Sequence, residues 1–123
     1  MNAERRKQER LEPREVTFAA LRPRFSKLGK IVDVSKNGLS FQYVTPQRGQ
    51  TKKTASLEID IFMGDESYYL QGIPSKLIYD LETNERVDSP GGVEHGRCGL
   101  QFRRLTKDQI SRWEFFLNNH TKQ

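Results

Sequence analysis

The chain has 123 residues, of which 34% are hydrophobic and 30% charged, and this fits one domain with a modest core and argues against wholesale disorder. No apolar run is long enough to cross a bilayer and the N-terminus has no apolar signal segment, so we expect no membrane insertion and a cytoplasmic location. The single cysteine, Cys98, excludes an internal disulfide and cannot form a zinc site alone.

The net charge of +5 is unevenly distributed. Residues 1–30 contain nine basic and four acidic side chains, whereas basic and acidic side chains balance over the rest of the chain. An excess of positive charge at one end indicates an anionic partner for that end. A solvated basic arm is the simpler interpretation unless another part of the sequence supplies a matching site.

The first predicted elements are an arm and a strand. Residues 1–12 are polar and have no repeating apolar face, so we predict a flexible basic arm. Pro13 ends this arm, and the folded domain is expected over residues 13–123. Val16, Phe18 and Ala20 then alternate with their neighbours, as in a half-buried strand.

The next two strands are predicted to form a hairpin. Residues 30–34 are rich in residues that favour strands, and in residues 39–43 every second side chain is apolar. Between them lies Asn37-Gly38, which is a strong hairpin signal because both residues tolerate a positive φ.

Three further segments have strand patterns. In residues 57–61 and 98–102 every second residue is apolar, so each segment is expected to have one buried face. Residues 68–81 are long enough for one strand or two, and Gly72 and Pro74 mark a bulge or an edge position there.

The pattern changes to helical near the C-terminus. Thr106 followed by Gln109 is a capping-box pattern that predicts the start of a helix over residues 107–119. Its apolar face is predicted to contain Ile110, Trp113, Phe116 and Leu117. The prediction is therefore a mainly β fold, a small antiparallel six-stranded β-barrel with this helix packed on an open end or face.

Signals for an enzyme are weak. His95 and His120 do not have the spacing of metal ligands and do not accompany a nucleophile motif. Cys98 lies on the apolar face of a predicted strand, where a buried thiol is expected rather than a reactive one. We therefore predict a protein without catalytic residues, a metal site or a cofactor.

Two short motifs remain, an RxxxR in the arm and a DxSxxG at the hairpin. Each is weak alone, since paired arginines occur in any basic stretch and Asp, Ser and Gly are ordinary turn residues. The motif residues are Arg6 and Arg10 in the first, and Asp33, Ser35 and Gly38 in the second.

Together, in this order and about twenty residues apart, the two motifs resemble those of the PilZ family of bacterial cyclic di-GMP receptors. The family's barrel is followed by a C-terminal helix, and residues 99–102 are similar to its closing strand. The resemblance implies cyclic di-GMP as ligand. It implies that the ligand is bound by Arg5, Arg6, Arg10, Asp33, Ser35 and Gly38. Tyr79, an aromatic residue on a predicted strand, is a candidate for stacking on a guanine, with packing in the core or on the surface as the simpler interpretation.

In that family, an arginine before RxxxR, as Arg5 is here, accompanies binding of an intercalated ligand dimer. The residue chemistry also suits this ligand. A guanidinium can donate two hydrogen bonds to guanine O6 and N7, and a carboxylate such as Asp33 can accept from guanine N1–H and N2–H. The Ser35 hydroxyl can donate to a phosphate, and Gly38 allows a close approach of the backbone to the ligand.

The predicted function is a cyclic di-GMP receptor domain whose arm becomes ordered when the ligand binds and which signals to an unidentified downstream protein. One alternative is a PilZ-like adaptor that contacts proteins and binds no nucleotide. Another is a basic barrel that binds single-stranded nucleic acid, although the charge balance after residue 30 argues against nucleic acid as a partner.

Overall fold

The structure, a computed structural model, describes residues 10–22, 27–45, 56–65, 67–82 and 94–122. In these residues six strands form one closed antiparallel barrel in the order β1-β2-β3-β6-β5-β4, and β4 pairs again with β1. A single helix follows. The elements are β1 (Thr17–Arg22), β2 (Lys27–Ser35), β3 (Gly38–Thr45), β4 (Leu57–Met63), β5 (Tyr69–Glu82), β6 (Glu94–Phe102) and α1 (Lys107–Asn119).

The predicted six-stranded barrel with a C-terminal helix is confirmed. Alternation of apolar residues places one face of each strand inside, and the opposed pairs Ile31–Phe41 and Leu39–Leu100 are buried there. Cys98 also lies inside and is fully buried, as predicted. Burial, with a smaller contribution from the Asp80 carboxylate, raises the pKa of the Cys98 thiol to about 12.

The hairpin between β2 and β3 turns one residue earlier than predicted. Ser35 pairs with Gly38, so the turn consists of Lys36 and Asn37, and Gly38 is the first residue of β3, without a positive φ. A Cβ atom on Gly38 would lie 2.2 Å from the Leu100 carbonyl oxygen of β6. Glycine is therefore required for the close approach of two strands rather than for the turn.

The predicted irregularity at Gly72 is confirmed as a bulge in β5. Gly72 has a φ of +67°, and the register between β4 and β5 shifts at this point. The buried Asp60 carboxylate accepts a hydrogen bond from the Gly72 N–H at 2.8 Å and two from the Arg22 guanidinium at 2.9 and 3.0 Å. Arg22, part of the N-terminal charge excess, thus has an internal counter-ion.

The helix closes the end of the barrel at which β2 and β6 finish. Its predicted capping box is present, with the Gln109 N–H donating to Thr106 Oγ1 at 3.1 Å and the Thr106 N–H donating to Gln109 Oε1 at 3.0 Å. Trp113 and Phe116 are buried against the barrel, as predicted. Ile110, predicted on the same face, is 44% exposed and is therefore not part of the buried face.

The segment before β1 crosses the outside of the barrel, and we call residues 10–15 the strap. Leu11 exchanges two backbone hydrogen bonds of 2.8 Å with Val34 of β2. On its other side the strap pairs with the C-terminal tail, where the Arg14 N–H donates to the His120 carbonyl and the Lys122 N–H donates to the Glu12 carbonyl, both at 2.8 Å. The strap therefore lies between β2 and the tail.

Candidate functional site

The candidate site centres on Asp33, on the outer face of β2. Register places Asp33 opposite Ser40 of β3 after a bulge at Val32, and Ser40 in turn lies opposite Gly99 of β6. Gly99 is paired with Tyr79 of β5. Because directly opposed residues share a face of the sheet, these four residues form one row across four strands, about 14 Å long at the usual strand spacing.

Two arginines from distant parts of the chain reach the Asp33 carboxylate. Arg10 Nη1 of the strap lies 3.3 Å from Oδ1, and Arg97 Nη2 of β6 lies 3.1 Å from Oδ2. The hydroxyl of Ser40 donates to Oδ1 at 2.9 Å and accepts a bond of 3.1 Å from Arg97 Nη2. The cluster carries two positive charges and one negative charge, so it presents a net positive charge to solvent.

Arg97 and Arg10 are held differently. Arg97 bonds to both Asp33 and Ser40, and Ser40 is almost completely buried. Arg10 makes one contact, of 3.3 Å. The two arginine side chains are about equally exposed, at 40% and 39%, and ion pairs this exposed contribute about 0–1 kcal/mol each, so the difference lies in the second partner of Arg97. Asp33 thus keeps most of its support when Arg10 moves away.

One donor in the cluster has no partner among the residues that the structure describes. Arg97 Nε is buried and forms no hydrogen bond within the described part of the chain. An unsatisfied buried donor costs about 1–3 kcal/mol. A rearrangement that brings an acceptor to Arg97 Nε would remove this cost and is therefore favoured.

Tyr79 is held flat against the barrel. A Cβ atom on Gly99 would lie 2.2 Å from Tyr79 Cε2, so the ring occupies the space that any larger residue at Gly99 would fill. The β5 register shifts between Leu77 and Tyr79. After this shift Tyr79 is partly exposed, whereas the side chain of the next residue, Asp80, is buried. The ring is partly exposed and lies at the end of the row that starts at Asp33.

The remaining predicted site residues have different positions. Ser35 lies two residues after Asp33 on the same side of β2, and its carbonyl accepts a 3.0 Å hydrogen bond from the Trp113 indole of α1. Gly38 starts β3 against β6. Arg5 and Arg6 lie outside the described residues, as does the arm up to residue 9.

Ser40 and Arg97 were missed by the sequence analysis. Ser40 lies between the apolar residues of β3, so alternation places it outside, but nothing in the sequence shows which strand lies beside it. Arg97 precedes the residues in which the last strand was predicted to begin, whereas β6 begins at Glu94. Only the pairing of β3 with both β2 and β6 brings these side chains together.

Comparisons with solved structures identify the fold. The PilZ domain of YcgR from Escherichia coli, solved with c-di-GMP, matches with a TM-score of 0.63 and 14% identity, covering 93% of this chain and 90% of that one. A crystal structure of Escherichia coli YcgR in complex with c-di-GMP matches with a TM-score of 0.55 and 18% identity, covering 93% of this chain and 46% of that one. This chain has the PilZ fold.

The PilZ fold predicted from the two motifs is therefore confirmed. No protein-family model matches the sequence, and no curated protein matches it either. The likeness thus lies in the backbone, where six strands and a C-terminal helix recur at low sequence identity.

Neither a cluster of metal ligands nor a membrane-spanning helix is found within the described ranges. No three His, Cys, Asp or Glu side chains come together there in a way that could hold a metal ion. No helix in those ranges is long and apolar enough to cross a membrane.

Proposed function

We propose that this PilZ-like domain is a cyclic di-GMP receptor that binds its ligand on the outer face of β2, β3, β6 and β5. The observation that carries the proposal is the cluster of Arg10, Asp33 and Arg97 around one carboxylate, on a fold whose solved neighbours hold c-di-GMP. This cluster uses one residue from each of the two motifs and adds a third from β6.

The cluster has the donors and acceptors that guanine requires. The Asp33 carboxylate accepts from guanine N1–H and N2–H, while a guanidinium donates to O6 and N7 and discriminates by about 1–3 kcal/mol. The partly exposed ring of Tyr79 offers a surface on which a second base stacks. The two phosphates of the ligand are attracted to the positive charge of the cluster.

Ligand binding is expected to replace one contact of Asp33 and to leave the others in place. Arg10 leaves its single contact for the ligand, and Ser40 and Arg97 keep the carboxylate oriented toward guanine. Arg5 and Arg6 bind the same ligand as Arg10. The arm thereby becomes ordered along the outer face of the barrel. The ordered arm forms a new surface that a downstream protein recognises.

The test is calorimetric titration of the full chain with cyclic di-GMP. We expect Arg10→Ala and Asp33→Asn each to weaken binding at least about tenfold, which corresponds to about 1.4 kcal/mol. Arg104→Ala, an exposed arginine elsewhere, is the control and keeps the parent affinity. Equal affinity of the parent and both site variants would refute the site, and no heat with any variant would favour the adaptor without nucleotide.

Specificity distinguishes recognition of guanine from attraction by charge alone. The parent is expected to prefer cyclic di-GMP strongly over cyclic di-AMP and over single-stranded DNA without guanine, because Asp33 accepts from two adjacent donors, N1–H and N2–H, that guanine presents and these ligands lack. Similar affinities for all three ligands would instead support a site that senses only negative charge.

Arg97 is expected to contribute by holding Asp33. Replacing Arg97 with Met removes the bonds to Asp33 Oδ2 and to Ser40 while keeping a long side chain. We expect affinity for cyclic di-GMP to fall about tenfold or more, and Arg97→Lys to restore part of it. An unchanged affinity in Arg97→Met would show that Arg10 and Asp33 act without support from β6.

A further inference from the structure

A groove of about 390 Å³ lies between the strap and the outer face of β2 and β3. This volume is in the range of pockets that hold small molecules. The groove is lined by residues 12–16 on one side and by residues 30–32 and Gln42 on the other, with Lys122 of the C-terminal tail. None of the predicted ligand-binding residues lines it.

The acidic side chains of the groove are paired. Glu12 lies 3.4 Å from Lys122 Nζ, and Glu15 lies 2.6 Å from His120 Nδ1. Both contacts tie the strap to the C-terminal tail. With three cations (Arg14, Lys30 and Lys122) and these two carboxylates, the lining of the groove has a net charge of +1.

Two cations of the groove have no such partner. Arg14 and Lys30 form no side-chain hydrogen bond or ion pair within the described ranges of the chain, and both are exposed. They come from opposite walls, Arg14 from the strap and Lys30 from β2. Two unpaired cations that face one concave space attract an anion with several acceptor oxygens.

The groove continues from the Asp33 cluster. Lys30 precedes Asp33 by three positions in β2, which is about 10 Å at the usual rise of a strand. Gln42 lies opposite Lys30 on one side and opposite Arg97 on the other. A ligand of dinucleotide size at Asp33 therefore reaches this groove along the outer face of the barrel.

We propose that the groove is a phosphate-binding subsite in which Arg14 and Lys30 bind one phosphate of an anionic ligand. The identity of that ligand as cyclic di-GMP rests on the proposed function. The affinity of the groove for phosphate does not, because it depends on the charged side chains that line the groove, whichever ligand carries the phosphate. Charge supports the assignment, since the Asp33 cluster carries a net charge of +1 whereas the ligand carries a charge of −2.

The test compares two double variants of the full chain that remove equal charge. Arg14→Gln with Lys30→Gln empties the groove of its unpaired cations, and Arg104→Gln with Lys107→Gln removes one arginine and one lysine elsewhere on the surface. All four side chains are exposed, so both variants are expected to fold, and circular dichroism checks this. We expect the groove variant to bind cyclic di-GMP at least about tenfold more weakly, and the control variant to stay within about twofold of the parent.

Equal weakening in both variants, or none in the groove variant, would overturn the subsite. A second titration uses inorganic phosphate and follows the backbone amides of Arg14 and Lys30 by NMR. If the parent does not bind cyclic di-GMP but these amides shift with phosphate, and do not shift in the groove variant, then the proposed function fails and the subsite stands with another source of phosphate. If neither ligand acts on the parent, both proposals fail.

Discussion

At the scale of single residues, charge has two different uses in this chain. Arg22 and Lys27 belong to the basic excess of residues 1–30, yet each lies against an internal carboxylate, Arg22 against Asp60 and Lys27 against Asp80. Arg10 and Arg14 of the same segment face solvent on the outside of the barrel. Of these four cations, Arg10 and Arg14 are the ones open to an external anion, so the net charge overstates what is available to a partner.

Cys98 predicts how stability depends on alkaline pH. Its thiol has a pKa of about 12 in the folded chain against an ordinary value of 9.0. Below pH 9 the thiol is protonated in both states, and between 9 and 12 only the unfolded chain releases the proton, so rising pH favours unfolding. Burial likewise raises the pKa of Tyr68, and this contribution is the same in parent and variant.

We therefore expect the free energy of unfolding to fall more steeply in the parent than in Cys98→Ala between about pH 8 and about pH 10.5. Urea denaturation at both pH values gives the change in the free energy of unfolding with pH for each protein. The cavity left by the substitution lowers the stability of Cys98→Ala equally at both pH values, so it does not affect this comparison. Parallel slopes would show that the thiol ionises with the same pKa in both states.

At the scale of elements, glycines set how closely β6 approaches its neighbours. Gly38 of β3 packs against the Leu100 carbonyl, and Gly99 of β6 packs under the Tyr79 ring. Both contacts lie beside the row that contains Asp33. The outer face is therefore shaped by close strand approach as well as by the side chains that project from it.

Gly38→Ala is expected to destabilise the domain. The new methyl group would lie 2.2 Å from a backbone oxygen, which moves only if β6 shifts, and forced shifts of this kind cost about 1–3 kcal/mol. Gly64→Ala is the matched control, because its Cβ atom would first meet a Phe18 ring carbon at 3.5 Å, an ordinary contact, and its effect is expected within about 0.5 kcal/mol. Urea unfolding compares them, and similar losses in both would contradict the steric role of Gly38.

At the scale of the whole molecule, the barrel has two unlike ends. At one end α1 covers the core with Trp113 and Phe116. Near the other end Lys27 Nζ lies 3.0 Å from Asp80 Oδ2, and the Tyr43 hydroxyl donates to Asp80 Oδ1 at 2.6 Å. This buried ionic cluster joins β2, β3 and β5, and the candidate site lies on the outer wall between the two ends.

Removing one charge from the ionic cluster is expected to cost more than removing both. Lys27→Met leaves the Asp80 carboxylate buried without its cation, which costs about 3–5 kcal/mol. Adding Asp80→Asn removes the remaining charge and keeps an acceptor for the Tyr43 hydroxyl, so the double variant should recover a large part of the loss. Urea unfolding of both variants provides the measurement, and a double variant that is no more stable than Lys27→Met would contradict this account.

Much of the local structure follows from the sequence alone. Alternating apolar residues predicted the strands, and the Thr106–Gln109 pair predicted the start of the helix, because both patterns express the geometry of one element. RxxxR and DxSxxG predicted the PilZ fold through resemblance. The turn residues were placed one position too late, since both Asn37 and Gly38 favour turns and steric contact with β6 decides between them.

Which side chains surround Asp33 depends on how distant strands pair in the folded barrel. Arg97 and Ser40 reach the carboxylate because β3 pairs with both β2 and β6, and Arg10 reaches it because the strap crosses β2 at Leu11. The same packing buried Lys27 beside Asp80 and left Arg14 and Lys30 in an open groove. These outcomes depend on register between strands that are distant in the chain, and register follows from the packing of the whole barrel rather than from any local pattern.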